Sequence, residues 1–275
     1  MFCVSSSSKR PVQTNHWTAL RDSSATALVI AASWVGLLQT FPASQDTCKT
    51  LNFRYEIMDS IAFYFDFVSP YAYLASNAIE ALADRHGKKL HWLPFRLGVA
   101  VVKVMGLKPL LDTPLKGPYA RHDASRIAKV LGMPLTDDFS MFDPVPAQQL
   151  MYTQPIEQRP VLAKALLSAR WAEGRHLGDM DILFDVARKA VGIDKQWFRE
   201  TIESKESRRA VNEATQAAVS RGVFGSPTFA AGNELFWGGD RIWLLDQYLC
   251  AGAQYVPAAL TPLTPNINGN ETQRT

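Results

Sequence analysis

Three features of this chain predict an α/β fold in which a small sheet is divided by a long all-helical stretch. Ile61–Phe67 is almost continuously apolar and aromatic, with Asp66 its one charge. A short run of that kind suits a strand buried on both faces. A helical pattern follows it and leads to a second strand-like run, Leu90–Phe95, which makes a strand-helix-strand unit. Strand signals then vanish and return only at Pro227–Ala231 and Glu234–Trp237.

The elements follow in order. Residues 1–57 differ from the rest: Met1–Asp22 is polar, Ala25–Leu38 is a short apolar run, and Pro42–Asp46 is turn-like. The run falls short of the ~20 residues that a membrane span needs. We read 1–57 as a disordered or over-extended start, with Met58 the natural beginning of the domain; a secretory leader is the alternative. After the first strand, Ser69-Pro70 opens a helix that runs to His86. Ser is a preferred N-cap, and Pro fits the first turn because its missing N–H would be unpaired there anyway. Gly87 closes that helix as a left-handed residue. Pro94 weakens the second strand.

Val99–Pro118 reads as loop and turn, with Gly106, Pro109, Pro114, Gly117 and Pro118. Helices are expected over Tyr119–Leu131 and, with breaks near Pro155 and Pro160, over Ala147–Arg175, with Thr136–Pro146 a loop between them. Further helices are expected over Asp181–Ala190, after the cap residue Asp194, and over Ser207–Arg221. Gly232-Asn233 suits a tight hairpin between the last two strands. Asp240 begins a final helix, and the Pro-, Thr- and Asn-rich 252–275 reads as a disordered tail. The expected division is therefore 1–57, a first half-domain over 58–98, a helical insertion over 99–205, a second half-domain over 206–251, and the tail. This order, β-α-β, helices, α-β-β-α, is thioredoxin-like with an inserted all-helical domain.

Composition narrows the function. The net charge is +3, and residues 1–57 carry five Lys/Arg and three Asp/Glu, which leaves the remainder near +1. There is no bulk electrostatic reason to expect nucleic acid or a membrane surface as partner. Cys3, Cys48 and Cys250 form no C-x-x-C pair, and the five scattered His give no metal-ligand spacing, so no metal is expected. Oligomeric state is left open, a homodimer being one option.

Ser69 stands where a buried strand ends and a helix begins. Free N–H groups and the positive end of the helix dipole meet there and favour an anion. Taken alone, Ser69 reads first as a plain helix cap. The motifs FYFDFVSPYAYLA (63–75 with its neighbours), PFRLG (94–98), VFGSPTF (223–229) and FWGGDR (236–241) extend the reading. Together they resemble the 2-hydroxychromene-2-carboxylate isomerase family, which sits with the kappa-class glutathione transferases in the DsbA-like branch of the thioredoxin fold. The resemblance spans about residues 59–250.

The resemblance implies glutathione as cofactor, a small aromatic acid as substrate and a cytoplasmic setting. Ser69 takes the place of the redox cysteine of the dithiol relatives. With no thiol at either end of S-P-Y-A, disulfide exchange is ruled out. A Ser hydroxyl can instead donate a hydrogen bond to an incoming thiolate and lower that thiol's pKa. No His or acid is evident to activate the Ser oxygen, so the attacking atom is read as glutathione sulfur. The resemblance places Pro227 at a cis-proline position, with Ser226 pairing to the cysteinyl backbone of glutathione. It places Trp237, Gly238, Gly239 and Asp240 around the γ-glutamyl end. Lys116 matches a loop that in the relatives holds the glycyl carboxylate of glutathione or an acidic substrate, and Lys103, Arg121 or Arg126 could also supply charge for that substrate. Two family Asn positions fall instead on Leu107 and Pro146. The alternatives are a kappa-like transferase and a non-catalytic DsbA-like binding protein.

Overall fold

The computed structural model describes residues 59–251, so the readings of 1–57 and of the tail lie outside the described residues. Four strands form one sheet: β1 (Ser60–Phe65), β2 (Lys89–Pro94), β3 (Thr228–Ala231) and β4 (Glu234–Trp237), in the spatial order β2-β1-β3-β4. β1 runs parallel to β2, with Phe63 opposite Trp92, and antiparallel to β3, with Phe63 opposite Phe229. β3 and β4 pair as a hairpin in which Ala231 faces Glu234, and Gly232 takes the positive φ of 57° that the turn requires.

The two-sided burial expected of β1 is present. Ile61, Phe63 and Phe65 face the large core, while Ala62 and Tyr64 face a smaller one with Phe95, Ala218 and Ala230. Pro94 is tolerated because β2 lies at the sheet edge, where a missing ladder donor costs least.

α1 (Pro70–Arg85) connects β1 to β2. Ser69 caps it by accepting from the Ala72 amide, and Gly87 follows with φ 60°. Between β2 and β3 the described chain is helical: α2 (Lys116–Leu131), α3 (Val145–Thr153), α4 (Arg159–Trp171), α5 (Met180–Val191), α6 (Lys195–Glu203) and α7 (Lys205–Ser220). α8 (Ile242–Ala251) follows β4. α2 ends at the left-handed Gly132, and Asp194 caps α6 by accepting from the Trp197 amide, both as expected.

Four expectations need correction. Val99–Pro118 is not all loop: Val99–Val104 forms a π-helical segment, Leu110–Asp112 a 3-10 turn, and α2 starts at Lys116. Prolines and glycines there hid short helical turns that need few residues. The 136–146 loop ends early, because Pro146 sits in the first turn of α3 rather than before it. α7 starts at Lys205, capped by Ser204, whose hydroxyl accepts from Glu206 and Ser207. Asp240 lies within a 3-10 turn (Gly239–Arg241) that has no side-chain cap; its carboxylate pairs instead with Arg241 at 2.6 Å.

Candidate functional site

Three stretches far apart in sequence meet at the N-terminus of α1. The Ser69 hydroxyl donates to the Ser226 carbonyl at 3.0 Å and accepts from the Ala72 amide at 3.2 Å. The Ser69 amide donates to the Asp66 carbonyl, and the Asp66 amide donates to the Ser226 hydroxyl at 2.9 Å. Ser226–Pro227 is a cis peptide. The Gly238 amide donates to the Pro227 carbonyl at 2.9 Å. Gly239 lies against α1 so closely that a side-chain carbon there would come within 3.3 Å of the Ala75 methyl.

Ser69, Ser226, Pro227, Gly238 and Gly239 thus form one connected set, and Trp237 and Asp240 flank it. Ser69 is buried, while Trp237 and Asp240 are exposed. Trp237 covers Gly225: a side-chain carbon on that glycine would fall inside the indole. Phe224 packs edge-on against the same ring, with centroids 4.8 Å apart. Phe65, Phe67, Trp92 and Phe236 are core residues, as expected of aromatic side chains beside a sheet.

The candidate cations part company. Lys103 lies in the π-helical segment and lines a cavity together with Asp66 and Arg96. Lys116 is the first residue of α2. Leu115 before it adopts φ 65°, ψ −49°, and the Lys116 amide bonds back to the Pro114 carbonyl at 2.8 Å. That three-residue turn is strained for a non-glycine. α2 is held to the first turn of α1 by the Tyr71 hydroxyl, which donates to the Ala120 carbonyl at 3.0 Å. Arg121 and Arg126 are committed elsewhere, to the Leu111 carbonyl and to Asp123. Leu107 is exposed, and Pro146 is buried in α3.

Asp66 is the residue that the sequence reading passed over. It is fully buried, and burial pushes its carboxyl up to about 7 despite hydrogen bonds from the backbone at Leu97, Val68 and Phe67. The Leu97 amide donates at 2.8 Å, which ties the end of β1 to the segment after β2. A charge inside an otherwise apolar run three residues before the candidate serine was the available signal. Away from this site, the fold brings His86, Asp246 and Cys250 within 4.8 Å, a grouping that sequence spacing could not reveal. There Asp246 is already held by His86 at 2.7 Å and Arg85 at 2.8 Å.

Among the described residues, no helix is long and apolar enough to cross a membrane. A profile of the DsbA-like thioredoxin domain matches residues 60–250. A 2-hydroxychromene-2-carboxylate isomerase from Pseudomonas sp. (strain C18) is 28% identical over 187 residues, covering 68% of this chain and 88% of that protein. The glutathione S-transferase kappa 1 of Caenorhabditis elegans is 24% identical over 205 residues, covering 69% and 90%. A solved 2-hydroxychromene-2-carboxylate isomerase superposes with a TM-score of 0.62 at 28% identity, covering 70% of this chain and 96% of that one. With the cis Ser226–Pro227 bond opposite the N-cap of α1 and a profile match across nearly all the described residues, this chain belongs to the DsbA-like thioredoxin family.

Proposed function

We propose that the protein is a glutathione-dependent isomerase of 2-hydroxychromene-2-carboxylate or a related intermediate of aromatic-ring degradation. The observation that carries this reading is the joined set Ser69–Ser226–Gly238–Gly239, which has no thiol and no evident base, in a chain whose relatives include isomerases of that name. The set fits a peptide-like thiol. It offers a hydroxyl at a helix N-terminus, the Ser226 backbone beside it, and glycines that let the 238–239 backbone pack close to α1 and Asp240. Bound glutathione would supply a thiolate able to add to a conjugated double bond and leave again after rotation.

The chain's own part is electrostatic and positional. Ser69 has one hydroxyl proton, now given to the Ser226 carbonyl. Turning that proton to a thiolate makes a charge-assisted hydrogen bond at the positive end of α1 and frees the Ser226 carbonyl for a backbone donor. Ser226 and Pro227 would pair with the cysteinyl part, and Trp237 to Asp240 would border the γ-glutamyl end. Asp240 can serve an ammonium group only in competition with Arg241, its present partner. Lys103 is the better placed cation for a substrate carboxylate, since it lines a cavity with Asp66; Lys116 would act from the start of α2.

The test is to incubate the protein with 2-hydroxychromene-2-carboxylate and a trace of glutathione. Isomerisation that requires glutathione, with the free thiol recovered unchanged, is the expected result. Stoichiometric loss of thiol into a conjugate would establish the transferase alternative, which the match to the kappa enzyme supports. Neither product, with no glutathione binding by calorimetry, would leave only the binding-protein reading.

A further inference from the structure

A cavity of about 250 Å³ opens beside the end of β1, lined in part by Asp66, Arg96, Val99, Val102, Lys103 and Asp143. Its walls carry two cations. Arg96 also reaches Asn212 at 3.2 Å, and Asp143 caps the entry to α3 by accepting from the Val145 amide at 3.1 Å. Asp66 is fully buried at this wall, and among the described residues no cation is bonded to its carboxyl. Its side-chain neighbour is the amide of Gln148, also fully buried, whose hydrogen bond favours the ionised carboxyl but is outweighed by burial. Gln148 donates to the Phe95 carbonyl at 2.9 Å, but among the described residues its Oε1 has no hydrogen-bond partner. A buried acceptor without a donor calls for an explanation. A protonated Asp66 adds an O–H donor in that neighbourhood; an ionised one adds only more acceptors.

We propose that Asp66, at the wall of this cavity beside Gln148, is a proton-accepting carboxyl, and that an aromatic carboxylate docking against Lys103 and Arg96 binds with uptake of one proton onto Asp66. The ligand class rests on the isomerase reading; the proton linkage rests on the cavity, the buried acid and the orphan acceptor. The reasoning is electrostatic. A second carboxylate entering this small space opposes an ionised Asp66, so the ligand selects the neutral form. The elevated carboxyl, near 7, puts that change within the working range of pH. The step balances: carboxylate plus one proton from solvent gives carboxylic acid, and the proton returns when the ligand leaves.

Calorimetry of the full chain with salicylate as probe, in HEPES and in Tris, tests this. Salicylate stays ionised throughout, so any proton taken up belongs to the protein. The expected result is close to one proton taken up per salicylate at pH 8, falling toward none at pH 5.5. The dissociation constant should rise about tenfold per pH unit above 7. Asp66→Asn, which mimics the neutral acid, should bind at pH 8 as tightly as at pH 6 and take up no proton. Binding with no proton uptake, or no binding, overturns the proposal. Should the variant not fold, the carboxyl resonance of Asp66 in wild type, followed against pH with and without salicylate, decides: its titration must move upward with ligand. A glutathione titration of the same samples separates the two claims. Lost glutathione binding with intact proton uptake removes the isomerase reading and keeps the Asp66 assignment.

Discussion

Ser69 was legible as a helix cap from its place between an apolar run and Pro70. The same place makes it the natural donor to an anion, and the two roles separate under substitution. Ser69→Ala should leave glutathione bound and raise the pKa of its sulfur by about one to two units, because a charge-assisted hydrogen bond worth roughly 1.5–3 kcal/mol is lost while the helix dipole remains. The ultraviolet absorbance of bound thiolate against pH reads this directly; superimposable curves with only a lowered melting temperature would confine Ser69 to capping. Asp66 was not legible as a site residue. Its burial is created by Leu97 and by Gln148 of α3, partners that lie 31 and 82 positions away in the sequence. Its sign is the reverse of a salt-bridged acid. With a folded value near 7 against an ordinary 3.8, the native state holds a proton that the unfolded chain releases between those values. Stability from this group is therefore complete below about pH 4 and lost as pH rises through 7. Asp66→Asn should gain stability relative to wild type on going from pH 5 to pH 8 in urea melts. A constant or shrinking difference would mean that the acid is ionised at both.

Element boundaries were read best where one residue type fixes them: Gly87, Gly132 and Asp194 stand where turn and cap chemistry put them. They were read worst in 99–118, where proline and glycine mask a π-helical segment and a strained turn at Leu115. The hairpin of β3 and β4 was legible from Gly232-Asn233, but the seat of Trp237 on Gly225 was not, since it depends on how β4 lies beside the loop before Pro227. That seat gives a sharp expectation. Gly225→Ala puts a carbon within 2.1 Å of the indole nitrogen, so Trp237 must move. Near-ultraviolet circular dichroism should change in the tryptophan region, and glutathione binding should weaken with it. An unchanged spectrum would show that the ring is not held there in solution. At the other end of α1, Asp246 clips α8 to Arg85 and His86, and the hydrogen bond with His86 together with the Arg85 charge holds its carboxyl below the usual range. Asp246→Ala should lower the melting temperature modestly without touching the thiol titration.

On the scale of the molecule, the sequence order suggested two half-domains and a helical insertion, yet one apolar core runs through both. Ile61, Phe63 and Phe65 of β1 share it with Leu150 of α3 and with Leu162, Leu166 and Trp171 of α4. The Trp171 indole donates to the Phe67 carbonyl at 2.9 Å, which pins α4 to the turn that carries Ser69. That continuity was illegible in sequence, because it is made by residues a hundred positions apart packing face to face. It predicts a single cooperative transition. Leu166 is fully buried in this core and belongs to the helical part. Leu166→Ala should cost about 2–5 kcal/mol from lost burial and the cavity left behind. At ~2–4 °C per kcal/mol for a protein of this size, the melting temperature should fall by roughly 4–20 °C. Far-ultraviolet circular dichroism, tryptophan fluorescence and loss of glutathione binding should all move together to the new midpoint. A helical signal that melts early while the glutathione site persists to the wild-type temperature would show instead that the helices fold apart from the sheet, and would free Ser69 from dependence on the Trp171 contact.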